Sequence, residues 1–202
     1  MNPNRLPGFV RRLLCAGGTR ADRLRDPDAV VAALAVRPGM LVADLGPGYG
    51  HFTVRLARAV APNGVVYAAD ASPSTLDELM ASSEARVLRN LRPVRVRRDR
   101  LDLPEPVDLL FVSATYHHLP HPAAYFADAR RHLRPGGRVV ILEARQEGLL
   151  GRWLPHGSSP RRLQQEMADA GYRLVRTHDD IVRGHFFGEF VAADELRPGV
   201  PS

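Results

Sequence analysis
The stretch Val42-Ala43-Asp44-Leu45-Gly46-Pro47-Gly48-Tyr49-Gly50 decides the reading of this chain. It has the pattern of a short buried strand that ends in a glycine-rich turn. A helix follows at once, with Phe52, Leu56, Ala59 and Val60 falling on one side at a period of about 3.6. Gly46, Gly48 and Gly50 carry no Cβ, so a ligand can approach the backbone closely there. The helix N-terminus just beyond offers N–H groups and a partial positive charge. Strand, glycine turn and helix together make a nucleotide-type site at the carboxyl edge of a parallel sheet.

The spacing narrows the ligand. A dinucleotide fingerprint starting at Gly46 needs its third glycine at position 51, which is His51. The glycines follow a G-x-G-x-G spacing instead. A Walker loop is excluded because the chain has no lysine: all 28 basic residues are arginine. A ligand without phosphates fits this turn better than one with them.

Outward from the turn, strands and helices alternate. Asp26-Pro27 opens a helix as N-cap and first helical residue, and Pro38-Gly39 stops it. Strands are expected at 40–45, 65–69, 94–98, 107–112, 138–142, 172–178 and 185–192. Helices are expected at 50–60, from Ser72-Pro73 towards Leu91, from Pro122 to Leu133, and from Ser159-Pro160 to Ala170, with Gly171 as its stop. Pro135-Gly136-Gly137 reads as a turn into the fifth strand, and residues 146–158 as loop. This alternation predicts an α/β fold with helices on both faces of a parallel sheet, joined by right-handed crossovers.

Acidic residues fall at the strand ends. Asp44 lies in the first strand, Asp70 closes the second, and Asp99 is expected to close the third. Asp70 suits the two hydroxyls of a ribose, and Asp99 an adenine amino group. Each has a structural alternative taken singly: Asp44 as a partner of turn amides, Asp70 as a helix cap, Asp99 as a surface acid paired with arginine. Taken together they suit a ligand with an adenine, a ribose and a cationic end.

With these residues in view, the chain resembles the class I S-adenosylmethionine-dependent methyltransferases, in the broad group that includes the ubiquinone and menaquinone biosynthesis enzymes. The resemblance rests on Val42–Gly50, Val66–Asp70, the Asp99 region, Leu133–Glu143 and Ala170–Val175, and spans about residues 27–192. It implies a Rossmann-like, doubly wound seven-stranded sheet of order 3-2-1-4-5-7-6 with strand 7 antiparallel. It also implies S-adenosyl-L-methionine as cofactor. Gly46, Pro47, Gly48 and Gly50 would wrap its methionine and adenosine parts, Asp44 would lie near the ammonium, and Asp70 would hold the ribose. Asp99 and the backbone of Arg100 would meet adenine, Ala71 would flank the ring, and Ser113-Ala114 would lie under the methionyl end. Pro47 stands where the family commonly has cysteine or alanine, which stiffens the loop. Domain boundaries follow as a basic N-terminal extension or lid at 1–25 and a methyltransferase domain at 26–202.

The loop after the fourth strand, Ser113-Ala114-Thr115-Tyr116-His117-His118-Leu119-Pro120-His121-Pro122, would face the transferred methyl. His117, His118 and Tyr116 are the candidates for a base, needed only if the acceptor holds a proton near neutral pH. No metal is expected, since adjacent histidines rarely face one ion and no carboxylate is close in sequence. The Asn/Asp-Pro-Pro-Tyr/Phe motif of amino-methylating enzymes is absent, and so are the cysteines of cytosine C5 and arsenite chemistry.

Composition bounds the rest. A length of 202 residues gives one domain with a full core, and 45% apolar with 25% charged residues is ordinary for a soluble protein. Cys15 alone allows no disulfide framework or CxxC metal site. No apolar run reaches the ~18–20 residues of a spanning helix, and no signal peptide is evident, so a cytoplasmic monomer or homodimer is expected. The net charge of +6 is read as a solvated basic surface, with five arginines in Arg92–Arg100 as the one local cluster. Phe9, Trp153, Phe186 and Phe187 read as core or lid aromatics. The expected function is methyl transfer to a small organic molecule, ahead of RNA or protein methylation and of a non-catalytic cofactor-binding protein.

Overall fold
The computed structural model describes residues 26–146 and 157–194. The expected extension at 1–25, most of the expected loop at 146–158, Phe9 and Trp153 lie outside the described residues.

The first helix, α1 (Pro27–Ala33), is capped as its sequence suggests: the Asp26 side chain accepts from the amides of Asp28 and Ala29. It stops before Pro38-Gly39, because Ala35 turns left-handed at φ 45°. The elements that follow are β1 (Leu41–Leu45), α2 (Thr53–Val60), β2 (Val65–Asp70), α3 (Pro73–Ala81), the short α4 (Ser83–Arg86) and β3 (Leu91–Arg95). Then come β4 (Val107–Ser113), a 3₁₀ turn (Tyr116–His118), α5 (Pro122–Ala129), a second 3₁₀ turn (Arg130–His132) and β5 (Leu133–Ala144). The chain closes with α6 (Pro160–Asp169), β6 (Tyr172–Thr177) and β7 (His185–Ala192). The sheet has seven strands in the order β3-β2-β1-β4-β5-β7-β6. β1 to β5 pair in parallel, while β7 runs antiparallel to both β5 and β6.

Both faces of the central strands are buried, which is why they read as continuous apolar runs. One face carries Ala43, Leu45, Tyr67, Leu110, Val112 and Ile141 against Tyr125, Phe126, Leu163 and Met167 of α5 and α6. The other carries Val42, Val66, Leu109, Phe111 and Val140 against Val30, Leu56, Val60 and Leu79 of α1, α2 and α3. Burying one such side chain fully is worth about 1.5–3 kcal/mol, so this two-sided core dominates the stability. Phe186 and Phe187 lie in it, one on each face.

Two local readings need correction. β3 begins at Leu91 and ends at Arg95, three residues earlier than the apolar pattern suggests. Leu91 is buried opposite Val66, and Pro93 is tolerated because β3 is an edge strand. Asp99 therefore does not close a strand; it is exposed in the turn beyond. Second, Arg134–Gly137 lies within β5, where the register with β4 jumps from Val107↔Leu133 to Leu109↔Arg138. A Cβ at Gly137 would stand 2.7 Å from the Arg134 carbonyl, so that irregularity requires glycine.

Candidate active site
The turn after β1 is shaped by its glycines. Gly46, Gly48 and Gly50 take φ of 72°, 53° and 85°, a region that costs other residues about 1–2 kcal/mol each. Gly46 also meets the turn after β4: a Cβ there would lie 2.1 Å from Thr115 Oγ1. Gly50 is packed against Leu79, whereas a Cβ at Gly48 would meet open space. Pro47 is buried, and Gly48 and Tyr49 are exposed. The Gly46 amide is spent on the Ala69 carbonyl at 2.8 Å, and the Gly50 amide on the Pro47 carbonyl at 2.9 Å. These bonds fix the turn and occupy amides that a phosphate cradle would need.

Asp44 sits at the foot of this turn, 2% exposed. Thr53 Oγ1, from the first residue of α2, donates to its Oδ2 at 2.6 Å. Burial pushes the Asp44 carboxyl up from 3.8 to about 6; the Thr53 hydrogen bond opposes this, and the charge of Asp70 adds to it. Asp44 and Asp70 are thus two interacting carboxylates on adjacent parallel strands. Asp70 accepts from the Ser72 amide at 2.8 Å, which holds the start of the turn after β2. Ala71 is half-buried beside it.

Ser113 and Ala114 leave β4 on the other side of β1. Ala114 is left-handed at φ 50°, rare for a residue with a Cβ, and its amide bonds the Leu142 carbonyl at 2.9 Å. Thr115 Oγ1 donates to the Ser113 carbonyl at 3.0 Å. The 3₁₀ turn then sends its side chains apart. Tyr116 is in the core, stacked on Phe126 with ring centres 5.7 Å apart, and its hydroxyl donates to Glu166 at 2.7 Å. Burial first, then that hydrogen bond, pushes its phenol well above the ordinary range. His117 Nδ1 lies 2.9 Å from Oε1 of Glu143, which ends the apolar run of β5. His118 is exposed, its ring 3.9 Å from that of His117.

The structure therefore gathers Asp44, the glycine turn, Asp70, Ala71, Ser113, Ala114 and His117 at the carboxyl ends of β1, β2, β4 and β5. Asp99 and Arg100 are not at a strand end. Arg100 is folded back by the Arg97 amide on its carbonyl at 3.2 Å, and its side chain reaches Asp102 at 3.7 Å. Sequence reasoning missed Thr53, Thr115 and Glu143 as parts of the site. Only Glu143 left a signal, as an acid closing an otherwise apolar run. Among the described residues no group of His, Cys, Asp or Glu is arranged to hold a metal ion. No helix among them is long and apolar enough to cross a membrane. A surface hollow of about 580 Å³ lined by Asp128, Arg130, Arg131 and Gly137 lies by the opposite end of β5 and contains none of these groups.

The sheet order and the antiparallel β7 define a Rossmann-like methyltransferase fold. Residues 42–137 match the family model described as a methyltransferase domain. A protein of 37.1 kDa in transposon TN4556 of Streptomyces fradiae is 37% identical over 115 residues, covering 55% of this chain and 32% of that protein. The ubiquinone/menaquinone biosynthesis C-methyltransferase of Burkholderia cenocepacia (strain HI2424) is 30% identical over 116 residues, covering 56% of this chain and 46% of that enzyme. The matches thus span less than half the length of these two relatives. The crystal structure of an S-adenosylmethionine-dependent methyltransferase from Aquifex aeolicus superposes with a TM-score of 0.70 at 26% identity, over 83% of this chain and 89% of that one. The chain is thus similar to the class I S-adenosylmethionine-dependent methyltransferases, whose cofactor is S-adenosylmethionine.

The residues gathered at this edge fit that cofactor on their own chemistry. A buried carboxyl pushed up to about 6 beside a second carboxylate is relieved by a nearby cation, which the cofactor has in its ammonium and its sulfonium. The open space over Gly48 admits a ligand against the backbone.

Proposed function
We propose that this protein transfers a methyl group from S-adenosylmethionine to a small organic acceptor. The observation that carries the reading is the Asp44–Asp70 pair at the glycine turn, two interacting carboxylates suited to a cationic nucleoside. In this reading Asp44 attracts the ammonium and Asp70 accepts from the ribose hydroxyls. Gly46, Pro47, Gly48 and Gly50 form the wall, Ala71 borders the adenine, and Ser113-Ala114 support the methionyl end. When bound, the cofactor supplies an electrophilic methyl on sulfur. The residues of this chain align the acceptor with it, and alignment is worth on the order of 7–11 kcal/mol in well-oriented cases. A small acceptor is favoured by the relative from Burkholderia cenocepacia, which is named for ubiquinone and menaquinone biosynthesis.

A second reading has one observation in its favour. Arg92, Arg95, Arg97 and Arg98 are all exposed along the edge strand β3 and the turn after it. The Val96 amide ties that turn to the Asp70 carbonyl at 3.0 Å, so the basic rim borders the crevice. Such a rim suits an acidic macromolecule such as RNA. The test is methyl transfer from labelled S-adenosylmethionine to panels of small metabolites, RNA and protein. Label in small molecules supports the first reading. Label in RNA, weakened by salt and by replacing these arginines, would displace it.

A further inference from the structure
We propose that a hollow between the end of α1 and strands β5, β7 and β6 binds a phosphate group, either free or carried by a small molecule. None of the residues gathered at the glycine turn lines it, so the site stands apart from the methyl-transfer reading.

Arg37, Arg138, Arg176 and Glu189 line this hollow of about 290 Å³, with Ala33 and Met40 in its apolar part. That is the small end of ligand pockets. Its charged groups come from fixed elements. Arg37 stands in the tight turn before β1, its amide on Met40 Sδ at 3.1 Å and its carbonyl accepting from the Met40 amide at 3.2 Å. Arg138 Nη2 donates to the Leu34 carbonyl at the end of α1. Arg176 and Glu189 are direct cross-strand partners in β6 and β7. Glu189 is nevertheless engaged elsewhere, with Oε1 3.3 Å from Arg138 Nε and Oε2 3.9 Å from His178 Nε2. The Arg138 Nε–H is buried and still makes no hydrogen bond. Arg37 and Arg176 are exposed, and neither side chain has an ion pair or hydrogen bond among the described residues.

Three guanidinium groups against one carboxylate leave an excess of two positive charges in one small hollow. Like charges held this close repel, and water and salt screen the repulsion without abolishing it. A phosphate monoester carries about −1.5 to −2 charges near pH 7, which matches the excess, whereas a carboxylate brings only one. The planar fork of arginine suits phosphate oxygens two at a time, and Arg138 still has a donor to give. Ala33 and Met40 leave an apolar surface for the rest of a phosphorylated molecule. The larger hollow near Asp128 offers no such excess, because Arg130 is paired with Asp194 and Arg131 with Asp128.

Calorimetric titration of the full chain with inorganic phosphate and with ribose 5-phosphate, at constant ionic strength and near neutral pH, decides it. One saturable site is expected, weakened about 10-fold or more in Arg37→Ala and in Arg176→Ala. Arg161→Ala removes an exposed arginine of α6 and should stay within about twofold of the unaltered protein. Without phosphate, Arg176→Ala should melt no lower than the unaltered protein, since it loses a repulsion and no partner; with phosphate, the unaltered protein should gain the larger rise in melting temperature. Tighter binding of ribose 5-phosphate than of phosphate assigns the site to a phosphorylated metabolite, and equal binding assigns it to free phosphate. No saturation below about 10 mM, an equal loss in Arg161→Ala, or displacement by S-adenosylmethionine would overturn the proposal.

Discussion

Replacing Asp44 by asparagine should make the ligand-free protein more stable and the cofactor site weaker, and pH separates the two effects. The carboxyl titrates at about 6 in the folded chain against 3.8 as the ordinary value, with burial as the main cause. A raised acid favours the fold while it is protonated. The folded state binds the proton more tightly, so stability falls as pH rises from about 4 to about 6 and is flat above that. A shift of about two units is worth about 3 kcal/mol at 1.36 kcal/mol per unit. Asparagine has the same shape, can still accept from Thr53 Oγ1, and carries no such penalty. Urea unfolding of both proteins at several pH values from about 4 to 8 is the assay. Asp44→Asn should match the unaltered protein near pH 4 and exceed it by about 3 kcal/mol at pH 7.5. Calorimetry at pH 7.5 should find S-adenosylmethionine bound more weakly by Asp44→Asn, by about 1.5–3 kcal/mol, since a charged partner is lost. For the unaltered protein, cofactor affinity should fall as pH drops below about 6, levelling off at about the loss seen in Asp44→Asn. A stability difference that does not change with pH, or an Asp44→Asn protein less stable at pH 7.5, would refute the reasoning.

Other substitutions test neighbouring parts of the site. Asp70→Ala should raise the dissociation constant for S-adenosylmethionine by about 10- to 150-fold, the equivalent of ~1.5–3 kcal/mol, measured by calorimetry. Gly46→Ala should lower stability by more than the ~1–2 kcal/mol of its left-handed backbone, because of the contact with Thr115, and Thr115→Gly in the same chain should restore part of the loss in urea unfolding. Tyr116→Phe should cost about 1 kcal/mol of stability through the lost bond to Glu166 and leave turnover unchanged in a steady-state assay.

Much of the frame was legible in the sequence, because each of its signals is local. Alternating apolar runs, the cap at Asp26-Pro27 and the glycine spacing at 46, 48 and 50 mark strands, helices and the decisive turn without reference to the rest of the chain. The strand order came from the family resemblance. What escaped was set by distant partners. β3 starts at Leu91 because Val66 is there to pair with it, and an edge strand accepts Pro93; neither fact is visible within the segment. Asp99 moved out of a strand end as a consequence. Tyr116 and His117 are adjacent in sequence yet diverge, because Glu166 and Glu143, 50 and 26 residues away, take one each. Thr115 over Gly46 is likewise a contact across 69 residues.

The central claim is that the crevice at the carboxyl edge binds S-adenosylmethionine through Asp44 and Asp70. Calorimetric titration of the full chain tests it most directly. The account predicts one saturable site with a dissociation constant below about 1 mM, weakened in Asp70→Ala. No binding up to that concentration, or equal binding by Asp70→Ala, would contradict it.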